Sequence, residues 1–512
     1  MVLDEIQSVP VSPDQYREGM PRAARPVELA LDVPHGPAPL RHRLADAVVA
    51  ELRAGRLRPG DALPSTRTLA ASLGLSRGPV VAAYDELAAA GFVVSRAGSG
   101  AVVAPGADTA AAAGAVTHVH TPQRDLPGTD RPAARSARWD LRPGRPDTSL
   151  VDAAAWRRAW RAAGSVVPGN DAGAGPDHHR LRQVLADHLR RSRGVAVEPA
   201  DLLVVPGVGA SLRALPAALG LVGATVALED PGYVEAWTAF SHEGVRVVGV
   251  PVDGDGLDPA ALPASTRAAY VTPSHQYPLG ARMPVTRRVQ LLEWARSTGA
   301  LVLEDDYDGE FRYDVSPLPA LRSLPGAQDD VVYVGTASKL VAPSLRVAWV
   351  APPRRLRERL RVELESRGLV VNEATGLALA EFVASGALSA HHARVTRTYA
   401  ARRAALVAAV TRHLPGVVVV GVEAGLHVVL RLPDDVDDLE VVTRLEGAGL
   451  AASPLSAYAV QVRVSGLVLC YAGLPETAAD AAVRVLAGVL STPAPGTGPR
   501  GPLPMDRGSA RS

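Results

Sequence analysis

All but one of the 54 basic residues in this 512-residue chain are arginine, and the exception is Lys339. Arginine replaces lysine in a surface ion pair at little cost. It cannot replace a lysine that must add to a carbonyl, because a guanidinium stays protonated whereas a desolvated amine is nucleophilic. Lys339 is therefore a candidate for imine formation. It follows the apolar run "VVYVGT" (331–336), with Thr336 and Ser338 close by and Arg346 seven residues further on. Such neighbours suit a phosphorylated aldehyde, the lysine taking the carbonyl while Arg346 and Thr336 take the phosphate. Upstream, "LEDDYDGEF" (303–311) places carboxylates at a strand end. One of them can pair with a protonated ring nitrogen, and the tyrosine can reach a ring hydroxyl.

These residues need elements to hold them. From residue 139 to 491 short apolar runs alternate with helical patterns; the runs lie at 201–207, 225–230, 268–273, 300–306, 331–336 and 347–352. Strands separated by helices predict a mostly parallel sheet covered on both faces, an α/β fold. Residues 106–138 have linker composition. Residues 1–36 read as a flexible arm and 492–512 as a disordered tail.

Residues 37–105 follow a different pattern. Leu44, Val48 and Leu52 share one helical face within 40–54. A second helix is expected over 66–73, closed by Gly74, and a third from Arg77 to about Ala90, with Ser76 as its N-cap. Helix, glycine turn and helix form a helix-turn-helix pattern. "FVVS" and "AVVA" around "RAGSG" then predict a two-stranded wing. This stretch holds eight Arg against five Asp and Glu in a chain of net charge +1, a local excess that suits DNA phosphates.

Composition excludes other classes. A single cysteine, Cys470, rules out a disulfide framework and a cysteine-rich metal site, and no metal is expected. Neither a leader nor an apolar run of bilayer length is evident, so a cytoplasmic protein without membrane contact is expected.

"PGDALPSTRTLAASLGLSRGPVVAAYDEL" (59–87) followed by "GSG" resembles the winged helix-turn-helix of the GntR group of bacterial regulators. The resemblance implies contacts to double-stranded promoter DNA from Arg67, Ser76, Arg77, Tyr84 and the wing residues Arg96, Gly98 and Gly100. Pro79 stands where that group usually has a polar residue; proline is tolerated in a first helical turn.

The motifs "DLRPGRPD", "LEDPGYVEAW", "VTPSHQYPLGARMP", "LEDDYDGEFRYD" and "GTASKLVAPSLRVAWV" are similar to fold-type I aminotransferases. They resemble most closely the aminotransferase-like half of the MocR subfamily of GntR regulators. The resemblance implies pyridoxal 5'-phosphate as cofactor, with Lys339 as its Schiff-base lysine. It gives Asp305 to the pyridine nitrogen, Tyr307 to the ring hydroxyl and Tyr233 to the ring face. Arg346, Thr336 and the amides of Val208, Gly209 and Ala210 would take the phosphate. It also implies a head-to-tail homodimer.

Two departures favour sensing over turnover. Tyr277 replaces the asparagine of working aminotransferases, and "SGLVLCYAGL" (465–474) lacks their late carboxylate-binding arginine. A regulator sensing the cofactor itself or an amino compound is expected, with transaminase activity at most residual. The apolar residues 467–469 favour the cofactor alone. An active aminotransferase fused to a DNA-binding module and a cofactor-free dead domain are the competing readings.

Overall fold

The computed structural model describes residues 39–96, 100–108, 137–167, 178–313, 319–421 and 424–492, with residue 111 and a few positions between 25 and 36. Gly98 and most of the expected arm, linker and tail lie outside the described residues. The chain forms two compact units, residues 1–130 and 131–512.

In the first unit α1 (Leu40–Arg53) buries Leu44, Val48 and Leu52, the stripe that its spacing predicts. Ser65 caps α2 (Thr66–Ser72) by accepting from Thr68 N at 3.1 Å. Gly74 turns the chain at φ +66, a conformation costly for any residue with a Cβ. Ser76 occupies the N-cap of α3 (Arg77–Ala89), but its side chain makes no capping bond. β1 (Arg25–Pro26), β2 (Asp61–Ala62), β3 (Val93–Arg96) and β4 (Gly100–Val103) form a sheet in the order β1-β2-β4-β3. β3 and β4 pair antiparallel as the predicted wing. Val80, Leu87 and Val103 close one apolar core with the α1 stripe.

The second unit is built on an eight-stranded sheet. Its order is β6 (Leu203–Val205), β13 (Ala348–Ala351), β12 (Val331–Thr336), β11 (Leu301–Asp306), β10 (Thr266–Val271), β7 (Thr225–Asp230), β8 (Arg246–Asp253) and β9 (Gly256–Leu257). The pairs from β12 through β8 are parallel, as alternating strands and helices predict. β13 is antiparallel to both of its neighbours. Residues 337–347 hold only a four-residue helix and a three-residue turn, too little for a parallel crossover.

Alternate residues of β12 enter different cores. Val332 and Val334 pack with Leu212, Leu360 and Leu364, while Tyr333 packs with Leu185, Leu189 and Phe382. Both faces of the sheet are therefore covered. A smaller antiparallel sheet has the order β14 (Val418–Val420), β15 (His427–Arg431), β18 (Gly466–Cys470) and β17 (Ser453–Pro454). A short parallel pair between β5 (Trp139–Asp140) and β16 (Leu450–Ala451) ties the start of this unit to its end.

Candidate functional site

The carboxyl ends of parallel strands are where an α/β sheet places its ligands. β12 ends at Thr336, and Lys339 follows in the helix Ala337–Leu340. Thr336 caps this helix, its hydroxyl accepting from Ser338 N at 3.1 Å. β11 ends with Asp305 and Asp306. Together these ends wall a cavity of about 500 Å³ lined by Lys339, Asp305, Tyr307, Tyr233, Thr336, Arg346, Gly207, Val208 and Gly209. A larger hollow of about 870 Å³, lined by Leu279, Arg282 and Arg431 among others, holds none of these residues.

Lys339 donates from Nζ to the Gly144 carbonyl at 3.0 Å. Desolvation lowers its pKa, against smaller opposing effects from Cys470, Asp308, Asp305 and Glu235. The amine is thus held nearer its neutral, nucleophilic form. Asp305 is buried, and Oδ2 accepts from the Tyr270 hydroxyl. Its Oδ1 is buried without a hydrogen-bond partner. Burial raises the Asp305 pKa to about 7; the Tyr270 bond and Lys339 oppose the rise. A bare, buried carboxylate oxygen costs stability until a donor meets it.

At the other end Gly207 precedes the helix Val208–Ala218 at φ +93. A Cβ there would lie 3.3 Å from the Arg346 guanidinium carbon, so glycine lets this arginine lie against the helix start. Arg346 itself has φ 51, the one positive value for a non-glycine among the described residues. Val208 and Gly209 face the cavity. The Ala210 amide, also expected at the phosphate, donates to the Gly207 carbonyl at 3.0 Å, and Ala210 is fully buried. Ser211 folds its hydroxyl onto Val208 O at 2.7 Å. The donor set fits a phosphorylated pyridine aldehyde: an amine, an unpartnered carboxylate toward the ring, and a guanidinium beside helix amides.

Tyr233 packs edge-on to Tyr277, with ring centroids 6.0 Å apart. Behind Tyr307 stands a buried group that the sequence left unread. His275 Nδ1 lies 3.0 Å from the Tyr307 hydroxyl and 2.9 Å from Asp308 Oδ2. His275, Asp308 and His427 also form a cluster whose ligand atoms lie within 4.8 Å of one another, close enough for a metal ion. Arg142, Arg145, Glu235 and Tyr458 line the cavity as well, and the sequence had given none of them a role. "DLRPGRPD" was legible as a motif, and its arginines were the available signal. Arg463 is exposed and is not among the lining residues.

In the first unit Arg67 and Arg77 are exposed on α2 and α3, and Arg77 Nε donates to Thr66 Oγ1 at 3.2 Å. Ser76 is exposed beside them, and Gly100 is exposed at the wing with φ +74. Arg96 ends β3. Tyr84 is more buried than these residues. It is 8% exposed and its hydroxyl donates to Pro64 O at 2.9 Å, so it ties α3 to the turn before α2.

A helix-turn-helix with a wing, joined in one chain to an aminotransferase-type sheet, defines a transcriptional regulator carrying an enzyme fold. Residues 40–103 match the bacterial regulatory proteins of the gntR family, and residues 148–486 match aminotransferase class I and II. The chain is 37% identical over 428 residues to the pyridoxine biosynthesis transcriptional regulator PdxR of Corynebacterium glutamicum, covering 83% of this chain and 90% of that protein. It is 32% identical over 487 residues to the probable rhizopine catabolism regulatory protein MocR of Rhizobium meliloti, covering 92% and 97%. The α-aminoadipate aminotransferase LysN of Thermus thermophilus matches 69% of this chain and 91% of its own, at 26% identity and a TM-score of 0.62. The chain belongs to the gntR family of bacterial regulators, in the MocR type that carries an aminotransferase class I and II domain.

Proposed function

We propose that this chain binds pyridoxal 5'-phosphate and couples the state of that cavity to its hold on double-stranded promoter DNA. The observation that carries the reading is the unpartnered Oδ1 of Asp305 in the same cavity as the only lysine. When bound, the cofactor supplies an aldehyde that a lysine amine can engage and an electron-withdrawing ring. Lys339 presents the amine, and its burial favours the neutral form. Asp305, with Oδ1 unpartnered, would hold the ring nitrogen. Tyr307 would hold the ring hydroxyl, and Tyr233 the ring face. Arg346, Thr336 and the amides of Val208 and Gly209 take the phosphate. Arg67, Arg77 and the wing strands contact DNA. A head-to-tail homodimer acting in the cytoplasm, which the resemblance to the MocR group implies, belongs to the same reading.

Sensing is favoured over turnover because β18, where a late arginine would stand, is buried and apolar. The test is visible absorbance of the purified protein with pyridoxal phosphate, beside Lys339→Ala. Keto-acid formation and retardation of DNA from upstream of its own gene are assayed in parallel. The reading expects absorbance that Lys339→Ala abolishes, with no sustained keto-acid formation. Absent absorbance in the parent chain would sink it, and steady turnover would make the chain an enzyme.

A further inference from the structure

Tyr307 is held from behind by a buried pair. His275 Nδ1 lies 3.0 Å from the Tyr307 hydroxyl and 2.9 Å from Asp308 Oδ2, and His275 and Asp308 are only 1% and 2% exposed. One ring nitrogen thus faces two oxygens, and the place of its proton decides what each oxygen can do. A proton on Nε2 would leave a buried N–H without a partner, because Nε2 meets none. With that proton alone, the Nδ1 lone pair would also oppose a carboxylate. The proton therefore sits on Nδ1, shared between Asp308 and Tyr307, and Nδ1 has no lone pair to give a metal ion.

The neighbours keep this arrangement in place. A Cβ at Gly425 would run into the His275 ring and Asp308, and a Cβ at Gly280 would lie 3.0 Å from His275 Nε2. Gly425 is itself tied down, its carbonyl accepting from the hydroxyls of Tyr313 at 2.8 Å and Tyr471 at 2.7 Å. His427 Nε2 donates to Pro278 O at 2.9 Å. Burial lowers the His427 pKa to about 4, so this ring is neutral and does not draw Asp308 away from His275. The consequence falls on Tyr307. Its oxygen accepts from His275, so its own proton is left for another partner. Burial, and after it the Asp308 charge, raises the Tyr307 pKa well above its ordinary value. Tyr307 lines the cavity, and there it presents a neutral phenol with a proton to donate.

We propose that His275, oriented by Asp308, fixes Tyr307 as a hydrogen-bond donor, so that the cavity selects a ring ligand bearing an ionised oxygen beside its aldehyde. This rests on the cofactor reading above and names the ligand feature that the cavity tests. His275 is a positioning residue here: it acts on the ligand through Tyr307.

The experiment compares pyridoxal phosphate with 3-deoxypyridoxal phosphate, which lacks the ring hydroxyl. Equilibrium dialysis of the full chain gives a Kd for each, and the readout is their ratio, so each protein serves as its own reference. His275→Phe removes the donor and should reduce the preference for the hydroxylated ring by about tenfold, the scale of one hydrogen bond to a charged group. His275→Asn sets an amide N–H near the place of Nδ1 and should keep most of the preference. His275→Gln reaches toward the Nε2 position and should lose it, which tests the same point should His275→Phe bind neither aldehyde. In a Tyr307→Phe background the loss at His275 should change the ratio no further. A ratio unchanged in both His275→Phe and His275→Gln, or changed equally with and without the Tyr307 hydroxyl, overturns the proposal. A parent ratio that shifts on treatment with EDTA would assign the cluster to a metal ion and overturn it too. A parent chain that binds neither aldehyde overturns the cofactor reading and this inference with it, whereas one that binds both equally overturns this inference alone.

Discussion

Lys339 is the only side-chain amine in the chain, which makes its titration directly observable. Burial lowers its pKa, and Cys470, Asp308, Asp305 and Glu235 partly restore it. Amine-selective labelling of the cofactor-free protein, followed by peptide mass analysis against pH, should give Lys339 a midpoint below the ordinary lysine value. Asp308→Asn removes one of the carboxylates that favour the ammonium form, so the midpoint should fall further. An unchanged or higher midpoint in that variant would show that Asp308 does not act on Lys339. Lys339, Asp305, Tyr307 and Arg346 could be singled out in the sequence, and the structure brings all four to the wall of one cavity. Arg142, Arg145 and Glu235 line the same cavity and were not singled out, because their place there depends on the juxtaposition of segments far apart in the chain. The local bonds of the Ala210 amide to Gly207 O and of the Tyr84 hydroxyl to Pro64 O were not legible for a related reason. Sequence places a residue near a site but does not say which way a local hydrogen bond turns it.

Elements were legible where pattern alone decides them. β12 and β7 fall on the predicted residues 331–336 and 225–230. The small sheet β14-β15-β18-β17 went unread, since its strands are short and far apart in sequence. One buried pair fixes how a helix meets the Asp305 strand. His188, on the helix His179–Arg193, lies 2.8 Å from Glu310 just beyond β11, each side chain about one-tenth exposed. Burial opposes both charges, but each partner more than offsets it: Glu310 falls below its ordinary 4.5 and His188 rises above its ordinary 6.5. The Glu310 contribution to stability is present above 4.5 and lost as pH falls through its depressed value. The His188 contribution is present below 6.5 and lost as pH rises through its raised value. The pair therefore stabilises most between those two values. Glu310→Gln should lower Tm by about 1 °C more inside that window than at a pH above the raised His188 value, the shift that ~1 kcal/mol produces in a unit of this size. An equal loss at both pH values would show that packing, and not charge, is what Glu310 contributes.

Across the whole molecule the question is whether cofactor and DNA are coupled. Thermodynamic linkage makes the answer measurable without knowing the effector or the direction of control. If pyridoxal phosphate changes DNA affinity by some factor, DNA must change cofactor affinity by the same factor. The full chain should therefore show a cofactor Kd, read from visible absorbance, that shifts when DNA from upstream of its own gene is present. The shift should equal the one that cofactor produces in a DNA titration, and random DNA at the same salt should produce less of it. Arg77→Ala separates the two units in this scheme. Arg77 is exposed on α3 and contacts only Thr66 among the described hydrogen bonds, so its loss should weaken DNA binding without unfolding the module. One phosphate contact fewer should reduce the slope of log affinity against log salt by about one. Cofactor absorbance without DNA should persist, and the DNA-induced shift in cofactor Kd should return once DNA is raised to saturate the variant. Equal cofactor affinity with and without saturating DNA in the parent chain would mean that the two units share a chain and exchange no signal.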